Sequence, residues 1–243
     1  MSDRPVVLVT GAARGLGRDV SLAFAKKGYC VGINFSKSQK EAETLSQEIS
    51  QLGSQSLFLK ADIRQSKQVN QMVSTLLDKW GRVDVLINNA GNVKNKTLFS
   101  MTDEDWNDVL NVNLNGAFYC TRAVLSPMRK QKDGSIINFS SFIAGKGAKG
   151  AANYAAAKAG LITLTKNTAI EEGAFNIRAN AIMPGFHVTD INHDIWTKFK
   201  EPILQQHLLG KLPDREEMAN FLVTMAELKS VTGQVFAFES RLL

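Results

Sequence analysis

Residues 6–17 read VVLVTGAARGLG: four apolar residues, then Thr10, then glycines at 11, 15 and 17. An apolar run without alternation suits a strand covered on both faces, as the strands of parallel sheets are. An amphipathic pattern over 15–27 predicts a helix that starts inside the glycine stretch. Glycines at such a turn let the backbone bend tightly and approach a phosphate, which then lies against unpaired N–H groups at the helix start. The spacing is G-x-x-x-G-x-G rather than the commoner G-x-G-x-x-G. A plain strand–helix turn is glycine-rich too. The strand before and the helix after favour a nucleotide site built from Gly11, Arg14, Gly15, Leu16 and Gly17.

The alternation continues along the chain. Strands are expected at 6–9, 30–35, 56–60, 83–88, 135–140, 177–183 and 234–238, with helices over 15–27, 38–52, 66–80, 103–131, 153–173 and 214–227. This predicts an α/β fold: a doubly wound parallel seven-stranded sheet with helices on both faces, forming one domain over residues 1–243. No repeat or linker divides it. Residues 184–213, after Pro184-Gly185, are the least regular and are the expected place for a substrate loop.

Composition narrows the function. The chain has 243 residues, of which 44% are hydrophobic and 21% charged, and a net charge of +6. Its cations are dispersed, so no nucleic-acid partner is expected. No apolar run approaches the roughly 20 residues of a membrane span, and no signal-like segment opens the chain, so a cytoplasmic location is expected. Cys30 and Cys120 sit in apolar segments and are expected reduced and buried. His187, His193 and His207 have no ligand spacing, so no metal site is expected.

The end of the second predicted strand bears on cofactor choice. A site for NAD usually carries an acid about 20 residues past the glycine turn, bonded to the ribose 2′-hydroxyl. Here the stretch is Asn34-Phe35-Ser36-Lys37-Ser38, with no acid before Glu41. Ser36, Lys37 and Arg14 instead suit a 2′-phosphate, so the expected cofactor is NADP(H).

Residues 153–160, NYAAAKAG, put Tyr154 and Lys158 four apart among alanines. That spacing stacks them on one helix face. A nearby ammonium favours phenolate, so the expected phenol pKa lies below its usual value of about 10.

Taken in order, Thr10–Gly17, Asn88-Asn89-Ala90-Gly91, Ser141, Tyr154-Ala155-Ala156-Ala157-Lys158 and Pro184-Gly185 resemble the short-chain dehydrogenase/reductase family. Among its subgroups the chain is most similar to 3-oxoacyl-(acyl-carrier-protein) reductases. The resemblance implies a catalytic set of Asn113, Ser141, Tyr154 and Lys158. Tyr154 is the implied acid, Lys158 tunes it and holds the cofactor ribose, and Ser141 (rather than Ser140, which would face the other way on a strand) binds the carbonyl. Asn113 is implied to kink its helix and hold a proton-relay water. Asp62 and Ile63 would contact the adenine, Asn89, Ala90 and Gly91 the adenosine side, and Pro184, Gly185 and Thr189 the nicotinamide side.

The implied activity is NADPH-dependent reduction of a 3-oxoacyl thioester. A free small ketone, sugar or alcohol is the alternative substrate, and a non-catalytic NADP(H)-binding protein is the alternative of another class. A homotetramer is implied, packed through the helices carrying Asn113 and Tyr154. Delivery by an acidic acyl carrier protein would use Arg129 and Lys132 as contacts at the site mouth. Two departures stand against the family pattern. The end Phe238-Glu239-Ser240-Arg241 lacks the two glycines that usually follow an acid, and Phe175 stands where an arginine is expected.

Overall fold

The computed structural model describes residues 3–189 and 192–242. Seven strands form one parallel sheet: β1 (Val6–Val9), β2 (Cys30–Phe35), β3 (Ser56–Lys60), β4 (Val85–Asn88), β5 (Gly134–Phe139), β6 (Ile177–Met183) and β7 (Val235–Ala237), in the order β3-β2-β1-β4-β5-β6-β7. The expected fold class holds. Strand order reverses between β1 and β4, and the C-terminal ends of the strands beside such a switch leave a crevice that helices do not fill.

Alternation within each strand builds two cores. Val7 and Val9 face one side with Phe24, Leu45, Ile49 and Leu222, drawn from α1 (Gly15–Lys26), α2 (Gln39–Gln51) and α9 (Arg215–Glu227). Val6 and Leu8 face the other with Val69, Leu76 and Val124, drawn from α3 (Ser66–Trp80) and α5 (Gly116–Gln131). α7 (Ala152–Glu172) packs on β6 beside them and buries Leu161 completely. Burial on both faces is why the central strands read as unbroken apolar runs.

Local signals set the helix ends. Thr102 and Asp105 form a reciprocal capping box at α4 (Asp103–Leu110), and Asp214 accepts the Glu217 N–H at α9. α3 stops at Gly81, which takes the left-handed conformation at φ 74°. The helix expected over 103–131 is not continuous. Residues Asn111–Asn115 form a wider π turn between α4 and α5. Among the described residues of 184–213 there is one helix, α8 (His193–Gln205), bent at Phe199 and exposed along most of its length. Of the described helices, none is long and apolar enough to cross a membrane.

Candidate active site

A cleft of about 520 Å³ opens at the C-terminal ends of β1, β2, β4, β5 and β6. Its floor is the glycine turn. Gly11 and Gly15 have φ of 62° and 53°, the left-handed region in which glycine is free of strain. A Cβ on Gly17 would sit 2.3 Å from the Gly11 carbonyl oxygen and 2.6 Å from Asn89 Nδ2, so only glycine fits beneath the turn. Arg14, the residue before α1, supplies no side-chain cap, and the first turn of α1 carries no acid. The N–H groups there can meet an anionic group, and the positive end of the helix dipole favours one.

Asn89 clamps the turn from the next strand: its Nδ2 donates to the Thr10 and Gly11 carbonyls at 2.9 and 3.2 Å. Asn34, buried at the end of β2, accepts the Gly11 N–H at 3.3 Å and donates to the Leu59 and Ala61 carbonyls. Ala90, Gly91, Leu16 and Ile63 also line the cleft. At the β2 end of the cleft, Ser36 and Lys37 are exposed beside Asp62. Arg64 grips both Asp62 oxygens, with Nη2 at 2.7 Å and Nε at 3.0 Å, and its bonds hold the Asp62 carboxyl below the usual range. Arg64 escaped the sequence reading because it belongs to no motif and precedes an ordinary solvated helix.

At the β4–β5 end stand the other expected residues. Ser141 and Tyr154 line the cleft together, near enough for the serine hydroxyl to act on the phenol, whereas the Ser140 hydroxyl turns away and donates to the Lys158 carbonyl at 3.0 Å. β5 ends at Phe139, so both serines lie in the following turn and the expected strand alternation does not apply. Their separation comes from the turn. Lys158 is buried; its Nζ donates to the Phe139 carbonyl at 2.7 Å and lies 5.3 Å from the Tyr154 ring centre.

The expected low phenol pKa is not found. Burial raises Tyr154 to about 12 against the opposing pull of the nearby Ser141 hydroxyl. The same burial brings Lys158 down to about 7. Desolvation penalises both charged forms, the phenolate and the ammonium alike.

Asn113 sits in the π turn, buried behind the cleft. Its Nδ2 donates to the Asn92 and Val109 carbonyls at 2.9 and 3.0 Å, and its Oδ1 is buried without a hydrogen bond. A π turn inserted into a helix re-aims one side chain, and such turns are frequent at functional sites. Opposite, Pro184, Gly185 and Thr189 form the cleft wall. Thr189 Cγ2 lies 3.6 Å from where a Gly15 Cβ would be, so the two walls nearly touch. His187 is buried there, and its Nε2 donates to the Pro184 carbonyl at 2.7 Å. Burial pushes its pKa down, disfavouring the charged imidazolium. No metal-binding cluster of His, Cys, Asp or Glu occurs among the described residues.

The carrier-docking expectation needs correction. Arg129 and Lys132 end α5 and immediately precede β5, so they lie at the N-terminal edge of the sheet, opposite the cleft. Arg129 is also engaged: it bonds both oxygens of buried Glu172 at 2.6 and 2.7 Å and covers the Phe175 ring at 4.4 Å. Within one chain neither residue reaches the mouth.

A doubly wound sheet, a glycine turn over a helix start and a serine–tyrosine–lysine group beyond it define a class of nucleotide-dependent oxidoreductases. The chain belongs to the short chain dehydrogenase family, whose sequence model matches residues 5–200. It is 38% identical over 229 residues to a 3-oxoacyl-(acyl-carrier-protein) reductase of Staphylococcus epidermidis, covering 93% of this chain and 94% of that protein. It is 41% identical over 234 residues to a protein of the same name from Synechocystis, covering 95% and 94%. A crystal structure assigned as a short-chain alcohol dehydrogenase of Sinorhizobium meliloti superposes with a TM-score of 0.93, at 26% identity, over 99% of this chain and 96% of that one. Family membership makes the chain a nicotinamide-dependent oxidoreductase acting between carbonyl and alcohol.

Proposed function

We propose that the chain is an NADPH-dependent carbonyl reductase whose substrate is a 3-oxoacyl thioester. The observation that carries this reading is the convergence of Ser141, Tyr154 and buried Lys158 at the end of a cleft floored by the glycine turn. Bound NADPH would supply a hydride to the carbonyl carbon. The Ser141 hydroxyl donates a hydrogen bond to the carbonyl oxygen, and Tyr154 delivers the proton that the oxygen needs as negative charge develops. A phenol kept neutral by burial is a standing proton donor, which suits reduction. Lys158 holds the nicotinamide ribose, and Asn113 steadies the proton path behind it.

The residues fit a 2′-phosphate. Arg14, Lys37 and Arg64 line the adenosine end of the cleft against one carboxylate, Asp62, and β2 ends without an acid. Residues 184–213 shape the substrate side of a single catalytic domain. α5 and α7 form the interface of a cytoplasmic homotetramer. We place carrier docking in the assembled form, since Lys132 does not reach the mouth of its own chain. Lys132's distance from the mouth of its own chain supports the second reading, a free small ketone as substrate.

A turnover screen tests both. NADPH and NADH are each offered with a 3-oxoacyl thioester on acyl carrier protein, the same acyl group on pantetheine, and a panel of free ketones. NADPH-dependent loss of the 3-oxoacyl group well above every free ketone is the expected result. Turnover confined to free ketones would overturn the substrate.

A further inference from the structure

Residues 239–241 fold against the cleft walls. The Glu239 side chain is fully buried; it accepts a bond from Arg241 Nε, while its Oε1 has no hydrogen bond. Arg241 is itself only 13% exposed and lays its guanidinium 4.2 Å from the Phe142 ring centre. Phe142 is buried and directly follows Ser141. On the other side, Glu239 Cβ lies 3.1 Å from the place a Gly185 Cβ would take. Ser240 accepts the Leu208 N–H at 3.1 Å through its carbonyl. The serine turn, the Pro184-Gly185 wall and the segment after α8 thus meet on three consecutive residues.

A buried ion pair is a poor way to gain stability, since apolar residues of similar volume do at least as well. It does fix geometry. We propose that Glu239 and Arg241 are positioning residues for the carbonyl-binding serine: the ion pair holds Arg241 on Phe142, and Phe142 sets the Ser141 hydroxyl against Tyr154. This rests on the reading that Ser141 and Tyr154 act on the carbonyl.

The test is a double-mutant cycle between Arg241→Met and Ser141→Ala. It is read as kcat and KM with NADPH and the best substrate of the screen, with the NADPH Kd measured by titration. Arg241→Met should lower kcat roughly 10- to 100-fold, the cost of a small misplacement, and leave the NADPH Kd within about twofold. Arg241→Lys should recover most of it by keeping a cation on the ring. In the Ser141→Ala background the same substitution should cost nothing further, because its effect runs through that hydroxyl. If Arg241→Met does not fold with Glu239 left unpaired, Glu239→Gln with Arg241→Met removes both charges and carries the same expectations. Unchanged kcat, or an equal loss in the Ser141→Ala background, would overturn the proposal. Wild-type kcat in Ser141→Ala alone would overturn the site reading beneath it.

Discussion

Lys158 places an ammonium group where water does not reach it, and the fold bears the cost. Its folded pKa of about 7 lies below the 10.5 of an exposed lysine. Below pH 7 both folded and unfolded chains hold this proton, and the cost of the buried charge is present in full. Between about 7 and 10.5 the unfolded chain holds more protons, so stability rises with pH. Lys158→Met should therefore raise the unfolding free energy measured by urea denaturation at pH 6, by on the order of a few kcal/mol, and the gain should shrink as pH approaches 10. A gain that does not change with pH would show that the charge is not the cause. At this scale Tyr154 and Lys158 stood out as a pair because their i,i+4 spacing on a helix carries them, whereas Ser141 entered only through the family resemblance. The pKa values of Tyr154 and Lys158 were not legible, since burial depends on what tertiary packing places around them. Arg64 and Glu239 were hidden for a related reason: each acts through a contact with no sequence signature.

The elements are legible where one periodicity runs unbroken. β1, β2, β3, β6 and α3 begin and end at the expected residues, because apolar runs and a terminal glycine mark them. The π turn at Asn111–Asn115 was hidden because one extra residue in a turn leaves the surrounding helical pattern almost intact on either side. The glycine turn makes a separate prediction. Gly17→Ala should lower the melting temperature and weaken NADPH and NADH alike, since its Cβ meets the Gly11 backbone at 2.3 Å. Arg14→Ala should weaken NADPH alone, by roughly 1.5–3 kcal/mol if a charge-assisted bond to phosphate is lost. Titration of both variants with both cofactors separates the two effects. A loss shared equally by the cofactors in Arg14→Ala would remove the 2′-phosphate argument.

Over the whole molecule, the outer surfaces of α5 and α7 leave Phe118 at 39% and Ile170 at 78% exposure, apolar positions that an assembled form would cover. Light scattering at micromolar concentration should give a tetramer, and a fully active monomer would contradict it. If carrier docking belongs to that assembly, kcat/KM for a carrier-bound 3-oxoacyl thioester should fall steeply with ionic strength and on Lys132→Glu. The pantetheine thioester should respond little, because screening acts over about 10 Å at 0.1 M salt. The overall fold was readable from the alternation of runs alone. The assembly was not, because the sequence of one chain does not say which exposed faces pair. Whether Tyr154 gives the proton is decided by NADPH oxidation with a 3-oxoacyl thioester in the wild type and Tyr154→Phe. The variant should lose about 10²–10⁴ in kcat with NADPH affinity retained; wild-type kcat in Tyr154→Phe would show that another group is the acid.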